Sequence, residues 1–288
     1  MPAVRVSATP GLVWPALPRP PASDILALLY QLNRSEWWPE DRLRRAQFEQ
    51  IELLLDHARR TVPFYRTDVA YDVLDSDEAL SAETWAKVPI LTRGQIQVSG
   101  AELHSEAPPA SHGGLIPVKT SGSTGMPLKS MKTELTGRFY EAAMLREAIR
   151  HRRDWSKRFA AIKPTISASL DPGGEQFDDW GEPFSRFFAT GPVFAFNIFA
   201  DPAEQIRWLR ETKPDCILSM PSNTQALARH ALAHGLAMPP MLEVRSYGEA
   251  YEDDLPRLCR EVWGAKHTSI YSSEEIGVIA SQCSEHGR

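Results

Sequence analysis

Apolar positions along the chain follow two rhythms. In the first part of the sequence they recur at helical spacing: SDILALLYQL at 23–32 predicts a helix opened by Ser23 or Asp24, and Phe48, Ile51, Leu55 and Ala58 fill one face of a second helix over Asp41 to Arg60. That helix must stop before TVPFYR, and in KVPILTRGQI the proline at 89 and a Thr92 cap predict a turn into another helix. A further helix is expected through Leu135, Phe139, Ala142, Leu145 and Ile149. The rhythm then changes. RFAAIKP, GPVFAFNIF, DCILSMP, EVRSYG and KHTSIYS are short apolar runs bounded by breakers, which predict strands. Between them lie DPAEQIRWLRET with an Asp201 cap, SNTQALARHALAHG running from a Ser222 cap to a Gly235 stop, and EDDLPRLCREVWG ending at Gly264. Strand and helix in alternation predict an α/β fold, mainly parallel sheets flanked by helices, preceded by an extended and helical N-terminal segment.

Composition narrows the class. The 288 residues are 42% hydrophobic and 24% charged, as in ordinary globular proteins, and the net charge of -5 gives no basic surplus for nucleic acid. The local run Arg150, Arg152, Arg153, Lys157 and Arg158 reads better as a solvated helix end than as a nucleic-acid patch. Three widely spaced cysteines fit a reducing compartment. The sequence has no membrane-length apolar run and its start lacks the layout of a signal peptide, so a cytoplasmic location and no membrane partner are expected.

Candidate chemistry enters at KTSGSTGMPLK, residues 119–129. Such a stretch is either a flexible turn or a concave row of N–H and hydroxyl donors suited to phosphate oxygens. In open parallel sheets ligands bind beyond the carboxyl ends of strands, and those ends here carry Pro221-Ser222-Asn223, Gly248-Glu249-Ala250 and Ser272-Ser273-Glu274-Glu275. Gly248 is a plain turn or a place where a flat ring lies on backbone, with Tyr271 either stacking on that ring or half-buried in its strand. Glu274 and Glu275 are neighbouring acids that either begin a helix or hold a cation such as magnesium bridging to phosphates. His230 and His234, and Cys283 with His286, have partial metal-ligand spacing; without further ligands the surface reading of the histidines is preferred.

In order along the chain, TSGSTGMP at 120–127, SYGEA at 246–250 and IYSSEEIG at 270–277 resemble the nucleotide-binding signatures of the acyl-adenylate-forming enzymes. VPFYR at 62–66, PILTR at 89–93 and the closing IASQCSEHGR are similar to segments of the phenylacetate-CoA ligase subgroup. The resemblance implies ATP-dependent activation of a carboxylic acid, aryl or arylacetic, to an acyl-adenylate, with magnesium, and transfer to coenzyme A. Alternatives are transfer to a carrier-protein thiol or another protein, and a non-catalytic nucleotide- or acyl-binding module. It places Thr120, Ser121, Gly122, Ser123, Thr124, Gly125 and Lys129 on phosphates, Glu275 on magnesium, Gly248 and Glu249 beside adenine, and Tyr271 and Ser272 at the head of the glutamate motif, with Thr124 and Glu275 as the catalytic pair. Tyr140, Phe194, Ser219 and Pro221 are the implied acyl-pocket wall. Three departures stand out: Leu128 precedes Lys129 where the family often has lysine, Ser272 replaces a glycine, and Glu274 replaces a phosphate-binding hydroxyl residue. The expected organisation is an N-terminal segment over 1–100 and a nucleotide- and acyl-binding core over 101–288. The family's small C-terminal domain with its catalytic lysine is absent after Arg288, so impaired adenylation is expected of the chain. Dimerisation through the N-terminal helices stays open.

Overall fold

The structure is a computed structural model that describes residues 9–71, 80–119, 128–164 and 173–285. It divides into two compact units, one formed by Tyr30–Phe139 and the other by the chain up to Leu29 together with the part from Tyr140 onward.

In chain order, helices α1 (Ala22–Ser35), α2 (Glu40–Thr61), α3 (Pro63–Thr67), α4 (Ala82–Trp85) and α5 (Arg93–Ser99) come first. Strands β1 (Leu115–Lys119) and β2 (Lys129–Thr133) and helix α6 (Glu134–Arg150) follow. Then come β3 (Phe159–Lys163), β4 (Glu175–Phe177), α7 (Phe184–Phe187), β5 (Val193–Asn197), α8 (Pro202–Thr212), β6 (Cys216–Ser219), α9 (Pro221–Ala233), β7 (Glu243–Tyr247), α10 (Leu255–Trp263), β8 (Lys266–Ser273) and β9 (Gly277–Ser281). The first helix starts one residue ahead of Ser23, and the α6 periodicity holds as read.

In the smaller unit the VPFYR segment works as a corner. Val62 takes an extended conformation that ends α2, and Pro63, which needs no amide partner at a helix start, opens α3. Val62, Phe64 and Tyr71 form a small core there, with Phe64 edge-on to Tyr65 and Tyr71 at centroid distances of 5.3 and 5.6 Å. Thr92 caps α5 in a reciprocal pairing with Gln95, as its position before the helix predicts. β1 and β2 pair as an antiparallel hairpin whose last register couples Lys119 with Lys129.

The larger unit holds a seven-stranded sheet in the order β4-β5-β3-β6-β7-β8-β9. Strands β5, β3, β6, β7 and β8 run parallel, and the edge strands β4 and β9 are antiparallel. From β5 onward each crossover steps in the same direction, so the right-handed rule puts α8, α9 and α10 on one face. Ala160, Ile162, Phe194, Phe196, Ile217 and Val244 meet Ile206, Leu209, Leu227, Leu258 and Trp263 there in the main core. Strand alternation sends Phe159, Ala161 and Cys216 to the opposite face, against Trp180 and Val193. The chain leaves β3 toward β5 and returns across it to β6, so the topological switch point, where neighbouring loops diverge and open a crevice, lies between β3 and β6. Among the described residues no helix is long and apolar enough to cross a membrane.

Candidate active site

Side chains and backbone at the carboxyl edge of the sheet are fixed by hydrogen bonds that cross from loop to loop. Asn223 donates from Nδ2 to Ser219 Oγ at 3.0 Å and to Gln205 Oε1 at 2.9 Å, while Gln205 donates to the carbonyls of Ile198 and Ala200. The turn after β5 and the starts of α8 and α9 are thereby tied together. Helix α9 is capped at Met220, with Pro221 in its first turn, so Ser222 is not the cap the sequence predicts. A proline needs no amide acceptor, which lets the helix begin two residues earlier than a Ser222 cap would have it. The freed Ser222 N–H instead donates to Glu249 Oε2 at 3.1 Å, setting a carboxylate on the positive end of α9. Gly248, just after β7, has φ of +80°, a conformation that side chains disfavour, and a Cβ there would meet only Met220 Cε at 3.6 Å. The glycine is thus required by its backbone, and it leaves a bare patch of main chain at this edge.

The turn that carries the two glutamates joins antiparallel strands and does not start a helix. Register slips between Tyr271 and Ser272, and Ile276 N–H donates to Ser273 Oγ at 3.3 Å to close the turn around Glu274 and Glu275. The helix reading of these acids is therefore overturned: the chain doubles back into β9 at Gly277, whose φ of +86° permits the reversal. Tyr140 packs on that glycine, its Cδ2 lying 3.0 Å from where a Cβ would stand. The Tyr140 hydroxyl is pushed up by burial and by the charges of Glu274 and Glu141, against the opposing pull of Arg245. A residue at the start of the larger unit and the glutamate turn near its end are brought together by β9.

Beneath this edge, on the face opposite α8 to α10, lies a buried ionic cluster. Arg153 donates to Glu243 at 2.6 and 2.8 Å and also pairs with Glu147, while Arg245 Nη2 reaches Glu147 Oε2 at 2.9 Å. Thr268 Oγ1 adds a hydrogen bond to Glu243 at 2.7 Å. Burial opposes ionisation of Glu243, but hydrogen bonds and the charges of Arg153 and Arg245 outweigh it and hold the carboxyl at about 2. Lys163 ends β3 on the same face, with Nζ 5.9 Å from the centroid of the Tyr247 ring.

No protein-family model matches the sequence, and no curated protein does. Solved structures do match. An open conformation of 2-hydroxyisobutyryl-CoA ligase in complex with 2-HIB-AMP and CoA superposes with a TM-score of 0.62 at 19% identity, over 88% of this chain and 60% of that one. The same ligase in its thioesterification state gives 0.64 at 18% identity, over 88% and 54%. A postadenylation complex with 2-HIB-AMP gives 0.61 at 18% identity, over 88% and 54%. The chain has the fold of these ligases. It spans little more than half their length, 60% in the open form and 54% in the other two.

On this ligase fold the sequence-derived residues are distributed unevenly. Thr120, Ser121, Gly122, Ser123, Thr124 and Gly125 lie outside the described residues. Lys129 is exposed and opens β2 opposite Lys119, the last residue of β1. Ser219 and Pro221 are buried at the end of β6 and the start of α9, close to Glu249 through Ser222. Tyr271 is 67% exposed on β8, Ser272 pairs with Val278, and Glu275 is half-buried in the turn. Phe194 is packed in the main core, under the Arg158 guanidinium at 4.6 Å from its centroid. Sequence reasoning passed over Gly277, Arg245 and Lys163. Glu243 and Arg245 were signalled by two charges, two residues apart, inside a strand that the sheet buries.

Proposed function

We propose that the chain carries the adenylate-forming portion of an acid-CoA ligase, acting on an aryl or arylacetic acid. The observation that carries this reading is positional: SYGEA and IYSSEEIG, two signatures separated in sequence, fall at the carboxyl ends of adjacent strands β7 and β8 in a sheet of ligase fold. Gly248 and Glu249 border the adenine, with Tyr271 exposed to stack on it. Loop residues Ser121 to Gly125, with Thr120 and Lys129, cradle the β- and γ-phosphates, and Thr124 hydrogen-bonds the charge that develops there. A carboxylate oxygen of the acid attacks the α-phosphorus, the bond from that phosphorus to the bridging oxygen breaks, and pyrophosphate leaves. The thiolate of coenzyme A then attacks the acyl carbon and AMP departs.

Adjacent carboxylates on a turn open to water fit magnesium, which takes one or two carboxylates together with phosphate oxygens and water. Glu275 is the residue that would hold it, and the ion would neutralise phosphate charge. Calorimetric titration with ATP, with and without magnesium, tests the reading. Magnesium-dependent binding that Glu275→Gln weakens at least tenfold is the expected result, whereas a variant that binds ATP like the wild type removes Glu275 from the site.

A further inference from the structure

Charge accounting on this face of the sheet leaves cations over among the described residues. Glu147 and Glu243 supply two negative charges, and Arg153 and Arg245 supply the two positive charges that pair with them. His151, also in contact with Glu147, is pushed down by burial and so adds no lasting charge near neutral pH. Lys266, in register with Glu243 on the same face, is exposed and donates to the His151 carbonyl at 3.4 Å. Lys163 is the half-buried cation that remains, and among the described residues no carboxylate pairs with it. Its ammonium instead faces the Tyr247 ring at 5.9 Å, near the limit at which a ring face attracts a cation. Burial, and then the repulsion of Arg245, push its pKa down. Arg245 is itself almost wholly buried, with an Nε that has no hydrogen-bond partner among the described residues. A surplus of positive charge under partial burial is unfavourable until an anion arrives.

Its location says which anion. Lys163 is the last residue of β3, one of the two strands that bound the switch point, and it lies with Tyr247 on the face that Arg245 shares. A tyrosine ring beside a single ammonium suits an organic acid with a flat body better than a free phosphate, which favours several donors. We propose that Lys163 is the residue that receives the carboxylate of the substrate acid, with Arg245 supplying the supporting positive field and the Tyr247 ring lying against the acid's body. The proposal rests on the acid-ligase reading and names the binding residue that reading lacks.

The test titrates the wild type, Lys163→Met and Lys163→Arg with phenylacetate and benzoate and with their uncharged amides, phenylacetamide and benzamide. Parallel titrations use inorganic phosphate and magnesium-ATP. The wild type should prefer an acid over its amide at least tenfold, Lys163→Met should lose that preference, and Lys163→Arg should keep most of it, with ATP affinity unchanged throughout. The acid-against-amide comparison needs no variant, so it decides even if Lys163→Met folds poorly. A wild type that binds neither acid, or binds acid and amide equally, overturns the assignment. So does a preference that survives in Lys163→Met, or a loss in that variant confined to phosphate. If ATP fails to bind while the Lys163-dependent preference persists, the nucleotide reading falls and the assignment of Lys163 stands.

Discussion

At the scale of single residues, two positions hold conformations or charge states that solvent would not choose. Gly248 adopts φ of +80° with room for a methyl group, so the cost of Gly248→Ala comes from backbone alone. We expect a loss of about 1–2 kcal/mol in urea unfolding, together with weaker ATP binding as the main chain proposed to border adenine shifts. His267 donates to or accepts from Ser246 Oγ at 3.0 Å and packs edge-on against Tyr251, and burial pushes it down to about 4 despite the pull of Glu243. The folded protein therefore binds fewer protons than the unfolded chain between the ordinary value of 6.5 and about 4, so stability falls as pH drops through that window. Chemical unfolding at stepped pH should show this slope, and His267→Gln should flatten it. These residues also mark how legible single positions were. Gly248 stood out because glycine after a strand has few purposes, whereas Lys163 and His267 look like ordinary strand residues until the sheet brings their neighbours into place.

At the scale of elements, local sequence rules hold where a polar side chain can reach its own helix. Asp201 accepts from the Ala203 N–H at 2.8 Å and caps α8, while Ser222, which sits in an equally plausible sequence context, caps nothing because Pro221 has already begun α9. Asp201→Ala should then cost about 1 kcal/mol, and Ser222→Ala should stay within about 0.5 kcal/mol, as thermal or urea unfolding of the pair will reveal. Equal losses would mean that the start of α9 is misassigned. The parallel strands β3, β5, β6 and β7 were readable as short runs because their residues are all buried or half-buried. By contrast β1, β2, β4 and β9 were not, since β1 and β4 are mostly exposed and short edge or hairpin strands such as EQF and KSMKT carry no apolar rhythm. Missing β9 is also what left the two glutamates open to a helical reading.

At the scale of the whole molecule, the buried ionic cluster ties α6 and Arg153, just beyond its end, to β7 and β8, about a hundred residues further along the chain. Removing one partner strands the others in a low-dielectric interior, so Arg153→Met and Glu243→Leu should each cost about 3–5 kcal/mol, and the double variant less than their sum. Unfolding of the four proteins in that cycle measures the coupling, and simple additivity would exclude it. Because the Glu243 carboxyl is held at about 2, the stability it confers is complete above the ordinary carboxylate value of 4.5 and is lost as pH falls from there toward 2. The sequence by itself determined the alternation of strands and helices, the caps at Thr92 and Asp201 and the glycine stops, since these depend on residues within a turn of one another. It also supplied the ordered signatures that point to nucleotide chemistry. Only the tertiary structure decided that β3 borders the switch point, that Tyr140 lies on Gly277, and that Lys163 has no paired carboxylate among the described residues. Those facts depend on strand order and register, and a chain's own periodicity does not encode which distant segment will lie beside it.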